Sequence, residues 1–142
     1  MSSFDDERKA IESRFATAWA AGAYAAVPVA YENAQFDPPE NAPYVVVTIR
    51  PADGNQESLG SGTQLSRYLG VILISILVPS NTGQALARNM ADAAATMFRR
   101  AQFSAGSSGT ITCRIPYMNV LGVQDGMFRI EVTADYQRDI FE

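Results

Sequence analysis

The segment from Thr63 to Val78 constrains the fold more than any other stretch of this 142-residue chain. It reads as one long strand, and after Gly70 both of its faces become apolar, with Val71, Leu73 and Leu77 on one side and Ile72, Ile74 and Ile76 on the other. A half-solvated strand alternates apolar and polar residues, so this one is expected at the centre of a sheet, covered on two sides. Gly70 is expected to mark a bulge or a bend. The apolar run Val71 to Val78 is broken by Ser75 and is far shorter than the roughly 20 residues that a membrane-crossing helix needs.

Flanking segments supply the partners. Tyr44 to Arg50 alternates, with Val45, Val47 and Ile49 on one face and Tyr44, Val46, Thr48 and Arg50 on the other, and Pro51 should end it. Val27 to Tyr31 is a short strand that Pro28 confines to an edge or a strand start. Residues 51–62, PADGNQESLGSG, are loop by composition. Thr110 to Val123 reads as a strand interrupted near Pro116. Asp125-Gly126 is a hairpin signal, because both residues tolerate the positive φ that a tight turn demands. Met127 to Asp135 then returns as a strand, with Phe128, Ile130, Val132 and Ala134 on one face.

Two helices complete the pattern. Ser3 can cap the first, over residues 4–21, with Asp5, Asp6 and Glu7 in its positive first turn and Gly22 as its stop. Phe4, Ile11, Phe15, Ala18 and Trp19 share one face. Asn81 or Thr82 can cap the second, with Gln84 three residues after Asn81. Its stripe is Leu86, Met90, Ala93, Met97 and Ala101, widened by Ala94 and Phe98. Ala105 to Gly109 is a Gly/Ser loop. The expected fold is α+β: one domain over residues 1–142, with a mainly antiparallel sheet of four to five strands and two helices packed on it.

Composition removes whole classes of chemistry. The chain has no histidine and one cysteine, Cys113. No zinc site of the usual kind and no Ser-His-Asp or Cys-His arrangement can therefore be built within it. Cys113 falls in a strand pattern, as a small core residue does. A single cysteine forms no internal disulfide, and the first residues read as a helix rather than a leader, so the chain is expected to fold in a cytoplasm. Gly60-Ser61-Gly62 leads into a strand and lacks the lysine of a phosphate loop. Asp53, Glu57 and Asp125 occupy loops and turns, where carboxylates are common, and no motif supports a carboxylate-pair hydrolase. Net charge is −4, and the basic pair Arg99-Arg100 fits a helix C-terminus better than a DNA contact. No enzyme activity, cofactor, metal or membrane association is expected. Lys9 is the sole lysine beside ten arginines, a bias shared by protein interfaces and by genomic base composition.

Several segments together resemble the tail-terminator family of long-tailed bacteriophages. They are the opening FDDERKAIESRFATAW, the segment VPVAYENAQFDPP, the strand YVVVTIR, and RYLGVILISILVPSNTG running into ALARNMADAAATMF. The resemblance implies a structural virion protein: a homo-oligomer, a six-membered ring, seated on the last ring of the tail-tube protein. There it would stop polymerisation and receive the head-completion (connector) protein, while DNA passes through without sequence-specific binding. It implies a place in the virion, at the tail and the head–tail neck, after assembly in the bacterial host cytoplasm. The runner-up readings are another head–tail connector or tube protein, or a non-viral ligand-binding α/β domain.

A closed ring needs two unlike patches on each subunit. Candidate contacts with a neighbour or with the tube are Arg50, Glu57, Leu59, Arg67, Arg138, Ile140 and Phe141. Ile140 and Phe141 either fold back on this chain's own core or bury themselves in a neighbour.

Overall fold

The computed structural model describes residues 3–56 and 62–142. Its elements are α1 (Phe4–Ala20), β1 (Val29–Tyr31), β2 (Tyr44–Gln56), β3 (Leu65–Pro79), α2 (Ala85–Phe98), β4 (Gln102–Ser104), a 3-10 turn (Gly106–Ser108), β5 (Thr110–Cys113), β6 (Tyr117–Gln124) and β7 (Met127–Phe141). The seven strands form one sheet in the order β1-β2-β3-β7-β5-β4, with β6 also on β7. β5 pairs with β7 from Tyr136 to Asp139 and β6 pairs with it from Met127 to Thr133, so the sheet forks along that strand. One row runs β1-β2-β3-β7-β6. The other carries the far ends of β2, β3 and β7 on to β5 and β4.

β3 lies at the centre, paired with β2 on one side and with β7 from Leu65↔Phe141 to Pro79↔Met127 on the other. The sheet is larger than expected and mixed rather than antiparallel. β1 runs parallel to β2, Val29 beside Val45. Residues 32–43 explain this, since a connection of about a dozen residues can bring the chain back alongside β1 in the same direction. β4 is only three residues long, and Pro116 divides the expected 110–123 strand into β5 and β6.

Two strands outlast their expected ends. β2 continues through Pro51 to Gln56, because the register shifts between Pro51 and Asp53 and a bulge accommodates proline. The first six residues of the expected 51–62 loop are therefore strand. β7 continues past Asp135 to Phe141, with Tyr136, Arg138 and Ile140 turned inward. An inward arginine breaks the apolar alternation by which a strand is recognised, which is why the stretch reads as solvated.

The core lies on one face. Val45 and Val47, Ile72, Ile74, Ile76 and Val78, and Ile130, Val132 and Ala134 meet Ile11, Phe15 and Trp19 of α1 and Ala87, Met90, Ala91, Ala94 and Phe98 of α2. Burying each large aliphatic side chain is worth about 1.5–3 kcal/mol. On the opposite face Val71, Leu73 and Leu77 are half-buried beneath no helix, so β3 is covered by helices on one side, not two. Ser3 caps α1 as expected, its Oγ accepting from the Asp6 N–H at 3.1 Å. α2 differs. Asn81 takes a left-handed φ of 67°, and the Thr82 hydroxyl donates to the Pro79 carbonyl, so both belong to the preceding turn. Gln84 is the N-cap without a side-chain cap bond, and the buried stripe shifts to Ala87, Ala91 and Ala94 beside Met90.

The first turn of α1 is tied into the sheet by a buried ion pair. Glu7 accepts from Arg138 Nε at 3.0 Å through one carboxylate oxygen and from the Tyr136 hydroxyl at 2.8 Å through the other. Arg138 Nη1 donates to the Ser108 carbonyl at 2.9 Å, and the Ser108 hydroxyl donates to Asp6 at 2.6 Å. The guanidinium also sits 4.5 Å from the centre of the Tyr68 ring. Burial, reinforced by the Glu7 carboxylate, pushes the Tyr136 phenol far above its usual range, so it stays a protonated donor. Gly70 makes room for it. A Cβ there would lie 2.5 Å from the Tyr136 hydroxyl, and the sheet bulge falls on β2 opposite, at Pro51. Gly109, at φ 99°, lies so close to the Asp139 carbonyl that no side chain fits.

Removing one partner of such a pair strands a buried charge. Arg138→Met is expected to cost about 3–5 kcal/mol in urea denaturation, and Glu7→Gln in the same chain should recover part of that loss. An Arg138→Met protein as stable as the parent would contradict this role.

Candidate assembly surfaces

Cys113 is buried, and burial pushes its thiol up to about 11, so it stays protonated and shielded. Among the described residues no group of three His, Cys, Asp or Glu side chains is placed to hold a metal ion. The acidic first turn of α1 has other work: hydrogen bonds from Arg8 and Lys9 hold Asp5 below the usual carboxylate range, while Asp6 and Glu7 bind the 3-10 turn and β7.

The expected contact residues separate into distinct environments. Arg50 is exposed on β2. Arg67 is engaged within the chain, its Nε and Nη2 donating to the two Asp139 carboxylate oxygens at 2.8 and 3.1 Å. Arg138 and Ile140, 0% and 6% exposed, are inside the subunit, whereas Phe141 is 71% exposed. Gln64 and Glu142 exchange backbone hydrogen bonds, both 2.8 Å, which fasten the end of β7 beside the start of β3. Of the terminal apolar pair, one residue has folded back and the other faces outward. Glu57 and Leu59 lie outside the described residues.

β6 offers a surface that the sequence reading passed over. Ile115, Tyr117, Met118, Val120, Leu121 and Val123 stand between 37% and 64% exposed. Among the described residues β6 is paired with β7 alone, so its outer backbone edge is open. The strand has neither a charged residue nor a proline, the features that usually keep an edge from pairing with another chain. The signal was present in YMNVLGVQ, where apolar residues point to both faces with no charge between them. A bulge between Val120 and Gly122 adds Leu121 to the exposed set.

A second apolar feature lies on the helix side. Ala18, Trp19, Gly22, Tyr24, Ala93 and Met97 line a groove of about 380 Å³ between α1 and α2. The Trp19 indole N–H donates to the Val27 carbonyl at 3.2 Å, and Tyr24 packs 6.0 Å from the Trp19 ring, which ties the groove wall to the segment entering β1.

Among the described residues, the distinctive surfaces are thus an open apolar edge and an apolar groove. The family model described as phage tail terminator protein matches residues 8–134, and the chain belongs to that family, which is structural and non-enzymatic. This sets the chain among tail proteins of the virion and removes the reading of a non-viral ligand-binding domain. No curated protein matches the sequence. A solved structure is similar to it at a TM-score of 0.78 and 22% identity, covering 99% of this chain and 98% of its own, a likeness in fold alone.

With Arg138 and Ile140 buried, the end of β7 belongs to the chain's own core. Deleting residues 138–142 is expected to lower the melting temperature of the single subunit, whereas Phe141→Ser should leave it nearly unchanged. A truncated chain that melts with the parent would show that β7 needs none of its last turn-free residues for packing.

Proposed function

We propose that this chain forms a closed ring on the last ring of tail-tube subunits, ends their polymerisation, and presents its far side to the connector of the head. The family match over residues 8–134 carries the reading. The physical chemistry supports it. A ring is built by repeating one contact between unlike patches, and the subunit has two such patches in the β6 edge and the helix-side groove. Its net charge of −4 suits a passage through which DNA slides without being held. The partners in this reading are second copies of the chain, in a six-membered ring, the tail-tube protein and the head-completion protein. Exposed Arg50 and Phe141, with Glu57 and Leu59 in the segment joining β2 to β3, are the proposed contacts with a neighbour or the tube. Arg67, held by Asp139, would contribute through the surface that the pair forms together.

The runner-up, a tube subunit, differs in one outcome: whether assembly stops. Phage particles made without this protein should show tails of uncontrolled length and heads lacking tails in negative-stain images, and supplying the protein in trans should restore both. Tails of normal length joined to heads in its absence would contradict the proposal.

A further inference from the structure

The β1-β2-β3-β7-β6 row has two unlike ends. At one end is the outer edge of β6. At the other is β1, which among the described residues pairs only with β2 and lies beside the groove walled by Trp19 and Tyr24. The two ends also agree in which face they offer. Met118 and Val120 register with Val132 and Ile130, and Val123 with Phe128, so these three side chains project on the helix-bearing side of the sheet. The groove beside β1 opens on that same side.

We propose that β6 of one subunit adds to the β1 edge of the next, with Met118, Val120 and Val123 covering the groove at Trp19 and Tyr24. The inference rests on the ring reading above and names the joint within it. Its occupant is a second copy of this chain. The three side chains that would cover the groove, each about half exposed, leave an apolar area on the order of 250 Å², about a third of the roughly 800 Å² that each partner gives to a stable interface, before the backbone pairing of the added strand is counted. The groove lining is likewise uncharged, so burying one against the other leaves no unpaired charge. Because the donor edge and the acceptor edge lie at opposite ends of one row, each subunit can use both at once. A two-fold pairing of β6 with β6 would instead close at a dimer and leave the groove empty.

The test uses the full chain. Val120 is 46% exposed, so Val120→Asp should leave the melting temperature unchanged while raising the concentration for half-assembly by about tenfold or more, read by mass photometry and negative stain. Exposed Ala23, at the mouth of the groove, gives the second arm. A Val120→Cys protein mixed with an Ala23→Cys protein should form disulfide-linked pairs under mild oxidant, and a chain carrying both substitutions should form a covalent ladder. Assembly of Val120→Asp with the parent's concentration dependence would overturn this joint and leave the ring reading standing, as would cross-linking of Val120→Cys with itself in preference to Ala23→Cys. Failure of the unaltered chain to form rings, alone or on isolated tail tubes, would overturn both.

Discussion

The ion pair between Glu7 and Arg138 is the constraint on which the arrangement of the subunit depends. It joins residues near opposite ends of the chain, and both side chains are essentially without solvent. An isolated charge there would cost several kcal/mol, so each is tolerated only while the other is in place and the remaining hydrogen-bonding positions are met. Tyr136 meets the second Glu7 oxygen, and the Ser108 carbonyl meets Arg138 Nη1. Gly70 leaves space for the Tyr136 ring, and Gly109 allows the 3-10 turn to close against β7. A helix, a turn and two strands, β3 and β7, are thus placed by one polar cluster within an otherwise apolar interior.

That placement has a consequence at the periphery. With α1 fixed over the far half of β7, β5 and β4 complete the sheet there, and the near half of β7 is left to β6. Neither helix reaches over β6, so its apolar side chains stay open on both faces. Sealing the interior at one end of β7 and exposing an uncharged edge at the other are two results of the same fork. The first concerns the stability of the subunit. The second concerns what the subunit can join.

Much of the fold was legible from periodicity. The central position of β3, the α1 cap at Ser3 and the tight turn at Asp125-Gly126, where both residues take positive φ, follow from local patterns that the tertiary structure leaves intact. What was not legible came from long-range pairing. Arg138 reads as a surface residue until Glu7, 131 positions away, is brought beside it. Parallel pairing of β1 with β2 depends on where a proline-bearing connection leads, which composition does not specify. The three residues of β4 are too few to show a period. Among the site residues, Phe141 and Arg50 lie at the surface, while Arg138 and Ile140 lie inside, on a strand end that an inward arginine conceals from the sequence pattern. The β6 edge was missed for a different reason: its residues were assigned to a strand, and a strand assignment does not reveal that its neighbour on one side is absent.

The proposed ring is a single layer of this chain at one end of the tail. A cryo-electron-microscopic reconstruction of the head-proximal end of the tail tests it most directly. The expected result is this fold in one ring between the last tube layer and the neck, and nowhere along the shaft. Copies of the chain repeating along the tube, or no density for it in the virion, would contradict the account.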